Sequence, residues 1–365
     1  VVYTDNMSRR PVIMQTSDTR KNSMRRQIIV MGIILTIASL SWLALKPGGD
    51  LTRYQNYYVA EKPSRLPNQL RITFLGASSL LLDDGETQLM IDGFFSRYPL
   101  WQVALIPLTT NAAAVDHVLQ RLQVNRLQGL FVSHSHYDHA FDSAYIAKHT
   151  GAMLYGSESM LNIGKGAGLP DSRMQLYHPA EELKIGKFSI TVFPSAHTAP
   201  LFAVNNDIGE HISVPQSQPA RYFRYKEGGS YDFLIRHGAQ RIFIKPDANY
   251  LPGALDHVKA DILFLGIATL GHQSESFQQA FYSETVSKLS PQLLIPIHWD
   301  NFFEPLTPKL TALPWLIDDL DLSLDFLIHR TAADHIQFQI LQGYQSLVVD
   351  SSGLPATDLR AAGEH

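Results

Sequence analysis

A short segment of the chain concentrates residue types that bind metal ions, namely His134, His136, Asp138 and His139. It follows the apolar run Leu127–Val132, which predicts a buried strand. His134 and His136 are two apart, so at the extended end of that strand both imidazoles lie on one face and can bind one ion. Asp138 and His139 then fall on the turn that begins the next helix, where they can reach a second ion. The spacing predicts a metal centre, and the alternative is a polar loop with a capping Asp138 and surface histidines.

Single residues of the same types follow three other apolar runs. The pairs of predicted strand and candidate ligand are Lys187–Phe193 with His197, Arg241–Ile244 with Asp247, and Gln292–Ile297 with His298. Because α/β proteins build their sites at the carboxyl ends of strands, we expect these side chains to join the first four. Neutral imidazoles and carboxylates suit zinc best, with manganese or iron as alternatives.

Two further residues stand near the ends of predicted strands. His272 comes after the apolar run Asp261–Leu265, and it is either a substrate ligand or acid facing the metals, or a surface-loop histidine. Asp92 follows Met90 and Ile91, and it is either an acceptor that orients a ligand histidine or an ordinary turn aspartate. The sequence contains no phosphate-binding loop with Walker spacing and no nucleophilic serine elbow.

Composition excludes several classes of protein. The 365 residues are 45% hydrophobic and 18% charged, so the chain can bury a sizeable core and is not disordered throughout. The formal net charge is -4, from 30 basic and 34 acidic residues, which excludes the basic excess of a nucleic-acid binder. The absence of cysteine excludes disulfides, thiolate nucleophiles and cysteine-type zinc sites.

The order of predicted elements indicates the fold class. Asp83–Glu86 is typical of a hairpin turn between two short strands. Helices are predicted over 111–124, 142–150 and about 275–289, and late strands over Asp325–Ile328 and Gln337–Leu341. Strands therefore form meanders early in the chain and alternate with helices later. We expect an α+β fold in which two sheets are sandwiched between helices.

The first fifty residues carry a candidate membrane segment. Ile28–Leu45 is a run of eighteen residues without charge, and it follows Arg25 and Arg26. That length just spans a hydrocarbon core as a helix, and basic residues before it favour a cytoplasmic N-terminus. We therefore expect an uncleaved signal-anchor over 24–46, a single transmembrane helix in the inner or plasma membrane with the metal-binding domain extracytoplasmic (periplasmic). A cleaved signal peptide and a buried core helix are the alternatives.

The other boundaries follow from composition. Residues 1–23 are predicted to be a disordered or artefactual tail, 47–68 a linker or an arm packed on the domain, 69–345 the domain itself, and 346–365 a C-terminal tail. Residues 201–230 are polar and punctuated by Pro and Gly, which indicates a functional lid or a disordered insertion. Their aromatic and basic side chains suit a substrate that is anionic and partly apolar, either a small molecule or a lipid.

The motif at 134–139 resembles the first signature, H-x-H-x-D-H, of the metallo-β-lactamase-fold hydrolase superfamily. The resemblance runs from about Arg71 to about Phe303, and Ile72–Gly76 and Met90–Gly93 are also similar to that family. It implies the family's αββα sandwich, which agrees with the order of strands and helices. It also implies two bound metal ions, which are expected to be Zn²⁺.

The resemblance further implies how the ligands are shared between the ions. The first ion takes three histidines, which are His134, His136 and His197. The second ion takes Asp138, His139 and His298, and Asp247 bridges the two ions. In the implied mechanism a metal-activated hydroxide attacks an ester-type bond, a phosphodiester or a lactone, with Asp138 and Asp247 in catalytic roles. His272 would donate a hydrogen bond to the developing charge.

Details of the sequence refine this placement. Leu294–Trp299 is similar to the branch that contains ascorbate-phosphate lactonases and N-acyl-phosphatidylethanolamine phospholipase D. A carboxylate at Asp247 favours the general hydrolase branches, although Lys245 and Pro246 before it depart from the family's usual pattern. We therefore expect a membrane-anchored, dinuclear metal-dependent hydrolase. The alternatives are a non-catalytic or regulatory metal-binding protein of the same fold and a di-iron oxidoreductase.

Overall fold

The computed structural model describes residues 16–60, 69–200 and 206–350 of the chain. It divides into two units, Val1–Lys46 and Pro47–His365, which are described separately. The helices, in chain order, are α1 (Thr16–Leu45), α2 (Leu100–Leu105), α3 (Ala112–Arg121), α4 (Tyr137–Ala140), α5 (Ser143–Thr150), α6 (Glu158–Gly166), α7 (Glu275–Tyr282) and α8 (Leu320–Ala333). The strands are β1 (Gln69–Phe74), β2 (Leu80–Asp83), β3 (Gln88–Ile91), β4 (Leu127–Phe131), β5 (Met153–Gly156), β6 (Met174–Leu176), β7 (Glu182–Ile185), β8 (Phe188–Ser195), β9 (Ser230–His237), β10 (Gln240–Lys245), β11 (Ile262–Gly266), β12 (Leu293–Ile297), β13 (Gln337–Phe338) and β14 (Ser346–Asp350).

The first unit contains the single helix α1. Among the residues that the structure describes, no helix combines the length and the apolar character needed to cross a membrane. The predicted signal-anchor over 24–46, with its transmembrane run Ile28–Leu45, is therefore not supported. That run includes residues 37, 38, 40 and 41, whose side chains lie outside the described part of the chain.

Two seven-stranded sheets form the second unit. The first has the order β14-β1-β2-β3-β4-β5-β6, and its strands are parallel from β3 to β6 and antiparallel elsewhere. The second has the order β13-β12-β11-β10-β9-β8-β7, and it is parallel from β10 to β13. The predicted combination of early meanders, later β/α alternation and two sheets is thus confirmed. Strands β4, β10 and β12 all lie in the parallel parts, where successive strand ends meet at one edge.

The core lies between the sheets and on their outer faces. Alternate residues of the first sheet, such as Leu82 and Phe131, are buried in one cluster with residues of the second sheet, such as Phe243. The residues between them, such as Leu81 and Leu130, are buried with apolar residues of α3, α5 and α6. This period-2 alternation places one face of the first sheet against the second sheet and the other against helices.

Two predictions at the end of the chain differ from the structure. Asp325–Ile328, predicted as a strand, lies inside α8, because the side chain of Asp319 caps the helix by accepting from Leu322 N and the buried leucines recur at helical spacing. Ser346–Asp350, which falls in the predicted 346–365 tail, is strand β14 and pairs with β1. The first sheet therefore extends to residue 350.

Segments flanking the sheets also pack on the domain. Within the predicted 47–68 segment, Leu51–Tyr57 is a 3-10 helix whose Tyr54 is buried and donates a hydrogen bond to Asp325 at 2.8 Å. Of the predicted 201–230 insertion, residues 206–230 are described, and they contain one short 3-10 helix, Tyr222–Arg224. Residues 201–205, which include Phe202, lie outside the described part.

Candidate metal centre

Four of the seven predicted ligands follow strand β4 directly. His134 and His136 lie on the extended segment after Phe131, and Asp138 and His139 lie in the first turn of α4. His134 and His139 are fully buried, and their ring centroids are 3.8 Å apart. Because the backbone changes from extended to helical between them, the pair His134 and His136 and the pair Asp138 and His139 occupy adjacent positions, as their spacing predicts.

The first group brings together His134, His136 and His197. Nδ1 of His136 lies 3.0 Å from Nε2 of His197. Nδ1 of His197 lies 2.9 Å from the carbonyl oxygen of Thr198. Because a carbonyl can only accept, Nδ1 of His197 carries the proton, and the lone pair of Nε2 points toward His136.

The second group brings together Asp138, His139 and His298. The Nε2 atoms of His139 and His298 are 3.0 Å apart, and Oδ2 of Asp138 is 3.2 Å from Nε2 of His298. His298 follows β12 with a positive φ of 57°, a left-handed backbone that is uncommon outside glycine and costs free energy. Its backbone N–H donates to the carbonyl of Ala77 at 2.7 Å, which holds this conformation.

Asp247 lies beside the first group. Its Oδ2 is 3.3 Å from Nδ1 of His134, and its Oδ1 is 3.6 Å from Nε2 of His197. Oδ1 also accepts from the hydroxyl of Thr198 at 3.2 Å. Lys245, two residues upstream at the end of β10, forms a buried ion pair with Asp232 of β9 at 2.9 Å. The unusual Lys245 before Asp247 thus has a structural partner within the second sheet.

Both carboxylates and two of the imidazoles have protonation states that suit cation binding. For His136 and His298 burial acts to lower the pKa, but Asp207 and Asp138 respectively raise it. Burial acts to raise the pKa of Asp138 and Asp247, yet the adjacent imidazoles lower the pKa of both carboxyls well below the ordinary value. Burial lowers the pKa of His134, and it lowers the pKa of His197 to about 4. At neutral pH the centre therefore presents ionised carboxylates and, at these two positions, neutral imidazoles.

The donor set fits a divalent cation better than it fits an ordinary hydrogen-bond network. Two pairs of imidazole nitrogens approach to 3.0 Å, and the buried Nε2 of His134 has no hydrogen-bond partner among the described residues. Buried polar atoms without partners are rare, and an ion would satisfy them. Imidazole with carboxylate is the ligand set expected for zinc, with manganese or iron as alternatives.

Asp92 orients one of the ligands. Its Oδ2 lies 2.8 Å from Nδ1 of His139, and its carboxylate also accepts from the backbone N–H of Ser133 at 2.7 Å and from the hydroxyl of Ser78. Because the carboxylate accepts the Nδ1 proton, Nε2 of His139 is left to face the second group. Of its two predicted roles, the geometry matches the acceptor that orients a ligand histidine.

Asp207 is a residue that the sequence did not predict. Both of its carboxylate oxygens lie 3.1 Å from Nε2 of His136. Burial opposes ionisation of Asp207, but the hydrogen bond from His136 lowers its pKa to about 2. The residue lies in the irregular insertion, so no strand end or motif marks it, and its only signal is an acidic side chain shortly after His197.

His272 contacts Trp315. Its Nε2 lies 2.6 Å from the carbonyl oxygen of Trp315, to which it donates, and its ring meets the Trp315 ring edge-on. No hydrogen bond or ring contact joins it to the seven ligand candidates in the described part of the chain. Its catalytic role stays a prediction.

A buried ion pair supports the loop that carries His298. Arg97 and Asp300 are joined at 2.7 Å, with side chains 1% and 0% exposed. The other oxygen of Asp300 accepts from the backbone N–H of Ala77 at 2.6 Å. Ala77 thus contacts both Asp300 and His298, and the pair fixes the backbone on which the ligand stands.

Comparison with known proteins places this centre in a family. The family model described as "Beta-lactamase superfamily domain" matches residues 88–299, more than half of the chain and all seven ligand candidates. The chain belongs to the β-lactamase superfamily. A superfamily relative from Heliobacterium modesticaldum, a "UPF0173 metal-dependent hydrolase", is 24% identical over 64% of this chain and 84% of its own length. A protein of the same description from Pyrobaculum arsenaticum is 27% identical over 64% of this chain and 85% of its own length.

A solved structure shows a similar fold at lower identity. Igni18, a metallo hydrolase from Ignicoccus hospitalis, is 14% identical and matches with a TM-score of 0.51. The match covers 77% of this chain and 99% of that protein. At this identity the likeness concerns the fold alone.

Proposed function

We propose that this member of the β-lactamase superfamily is a metal-dependent hydrolase that binds two divalent ions, and that zinc is the preferred metal. The observation that carries the proposal is the convergence of ligand atoms into two adjacent groups, with His136 Nδ1 and His197 Nε2 3.0 Å apart in one and Asp138 Oδ2 and His298 Nε2 3.2 Å apart in the other. The relatives described as metal-dependent hydrolases support the reaction class.

Each part of the centre has a distinct task in this function. His136 and His197 present ring nitrogens to the first ion, and Asp138 and His298 present ligand atoms to the second. Asp247, in contact with His134 and His197, would supply a carboxylate to the bound metal and would orient an attacking water. When bound, two such ions activate water at neutral pH and polarise the bond under attack.

We infer that the bond is of the ester type, a phosphodiester or a lactone, in a substrate that is anionic and partly apolar. The insertion supports this substrate class, because it touches the centre through Asp207 and carries Arg221, Arg224 and exposed Tyr222 and Phe223. Such a segment can cover an apolar group and pair with a negative one, as a lid would. A location outside the cytoplasm stays a prediction from the sequence.

The proposal is tested on the whole chain by elemental analysis followed by a substrate panel. We expect close to two zinc-like ions per chain, and hydrolysis of phosphodiester or lactone substrates that chelation abolishes and added metal restores. β-Lactams are expected to be poor substrates. A protein that binds no transition metal, or one whose hydrolysis is indifferent to chelation, would contradict the proposal.

A further inference from the structure

A second feature of the molecule lies outside the metal centre. Residues 98–110, which include α2, and residues 211–226 of the insertion are joined edge to edge, and we call them together the apolar–basic surface. Leu108 and Ala220 exchange both backbone hydrogen bonds, at 2.8 and 2.9 Å. Arg221 also donates to the carbonyl of Leu105 at 2.9 Å. The two segments therefore form one continuous surface.

This surface exposes large apolar side chains. The six residues of α2 bury only Val103, while Trp101 and Leu105 are 59% and 65% exposed. In the second segment Phe223 is 49% exposed, and its ring meets edge-on the ring of Tyr222, which is 45% exposed. Single exposed apolar residues are ordinary, but contiguous groups of large ones mark surfaces that bind something.

The charge of the surface has one sign. Neither segment contains an aspartate or glutamate, whereas the second contains Arg221, Arg224 and Lys226. Lys226 pairs with Glu210 at 2.8 Å. Within the described residues no carboxylate forms an ion pair with Arg221 or Arg224, and Arg224 is exposed. Apolar side chains beside unpaired arginines complement a partner that is apolar and negatively charged.

The surface is also rigidly connected to the metal motif. Tyr225 is buried, and its ring lies 6.3 Å from that of Tyr137 and 5.5 Å from that of Phe141. Gln218 donates to the carbonyl of Phe141 at 2.9 Å and to the hydroxyl of Tyr225 at 3.1 Å. Tyr137 and Phe141 flank Asp138 and His139 in the sequence, so the insertion is anchored on the helix that carries two ligands.

We propose that the apolar–basic surface docks the protein on a bilayer that contains anionic phospholipid. A bilayer surface offers both features that the residues complement: acyl chains for Trp101, Leu105 and Phe223, and negative headgroups for Arg221 and Arg224. Tryptophan and arginine are the side chains that membrane interfaces favour. A second copy of the chain would present the same positive charge, which disfavours self-association through this surface. Arg221, Arg224 and Phe223 belong to the insertion that the proposed function assigns to the substrate, and vesicle binding is measured without substrate, so it tests the docking separately from the hydrolase activity.

The test is co-sedimentation of the full chain with vesicles of phosphatidylcholine alone and of an equimolar mixture with phosphatidylglycerol. We expect binding to the mixed vesicles to exceed binding to the neutral ones, and Leu105→Asp and Arg224→Glu each to weaken it about tenfold. Leu322→Asp is the matched control, because Leu322 is an exposed helical leucine, 55% exposed, on α8. It should bind as the unchanged protein does.

A readout from one side chain separates this surface from α1, which also exposes apolar residues. Brominated lipid quenches the emission of tryptophans that enter the bilayer. The quenched fraction of the tryptophan emission should therefore be smaller in Trp101→Phe than in the unchanged protein. Equal quenching in both, equal binding to neutral and mixed vesicles, or unaltered binding by Leu105→Asp would each overturn the proposal. A change of oligomeric state in Leu105→Asp without loss of vesicle binding would instead identify the surface as a contact between copies.

Discussion

The carboxylate of Asp207 holds Nε2 of His136 between its two oxygens, each at 3.1 Å. Asp207 belongs to the insertion and His136 to the motif after β4, 71 positions earlier in the chain. Because Nε2 donates to the carboxylate, Nδ1 of His136 keeps its lone pair directed at His197. This single contact joins the position of the insertion to the geometry of the metal centre.

Replacing Asp207 by alanine should therefore weaken metal binding without removing a ligand. We expect the affinity for zinc to fall about 10- to 100-fold, because the ring of His136 loses the group that orients it. Asp207→Asn, which can still accept the proton, should lose less. The measurement is competition with a chelating dye, and Glu210→Ala is the control, since Glu210 lies in the same insertion but pairs only with Lys226 in the described residues. Equal affinities in Asp207→Ala and Glu210→Ala would show that the contact does not orient His136.

Loss of one ligand should remove one ion rather than both. His298→Ala deletes a ligand of the second group and leaves His134, His136 and His197 in place, so the metal content should fall from about two ions to about one. Hydrolysis should drop by roughly 100-fold or more, because activation and polarisation both need the pair. His257→Ala is the control, since His257 is exposed and belongs to neither ligand group. Unchanged metal content in His298→Ala would remove His298 from the ligand set.

The buried pair Arg97–Asp300 should dominate the stability of the loop that bears His298. Arg97→Met leaves the buried carboxylate of Asp300 without its partner, which costs about 3–5 kcal/mol of unfolding free energy. The exposed pair Lys187–Glu86, joined at 2.7 Å, provides the comparison, and Lys187→Met should leave stability unchanged because solvent screens that pair. Urea unfolding measures both variants. Similar midpoints for the two would mean that burial does not strengthen the pair at Arg97.

Asp318 should make stability depend on pH in the direction opposite to most carboxylates. Burial raises its pKa to about 7, and its Oδ2 has no hydrogen-bond partner among the described residues. The folded state therefore favours the protonated carboxyl. Its contribution to the free energy of unfolding is complete below about pH 4, the pKa of the carboxyl in the unfolded chain, and is lost as the pH rises to about 7. Asp318→Asn should be more stable than the unchanged protein above pH 7, by a few kcal/mol at about 1.4 per pKa unit.

The comparison for this prediction is Asp171→Asn, whose carboxylate is 83% exposed. The stability difference between it and the unchanged protein should stay flat from pH 4 to 8. A flat difference for Asp318→Asn as well would mean that Asp318 is not held in its protonated form.

The parts of the centre that follow local rules could be predicted from the sequence. His134 to His139 are close in the chain, and the change from strand to helix fixes where each points. His197, Asp247 and His298 each end a buried strand of the second sheet, and the structure places them beside the motif. Strands β10 and β12 run in one direction on either side of β11, so their carboxyl ends lie at one edge of the sheet. Strand β8 is antiparallel to β9, as β9 is to β10, so β8 ends at that same edge.

The parts of the molecule that depend on distant or irregular segments could not be predicted from the sequence. Asp207 reaches His136 from a segment without periodicity, so its partner is visible only in three dimensions. Asp325–Ile328 is predicted as a strand because a run of four residues is too short to distinguish a strand from one side of a helix. The N-cap at Asp319 favours the helix. The pairing of β14 with β1 joins residues more than 270 positions apart, beyond any local pattern.

That last pairing has a consequence for biosynthesis. Strand β1 leaves the ribosome long before β14. The backbone N–H and C=O groups of β1 that bond to β14 therefore have no partner while almost all of the domain is translated. An exposed strand edge on a growing chain is a template for mispairing with other chains. The nascent protein should therefore need protection by a chaperone, and a ribosome stalled before residue 346 should yield a product that aggregates although it already carries every metal ligand.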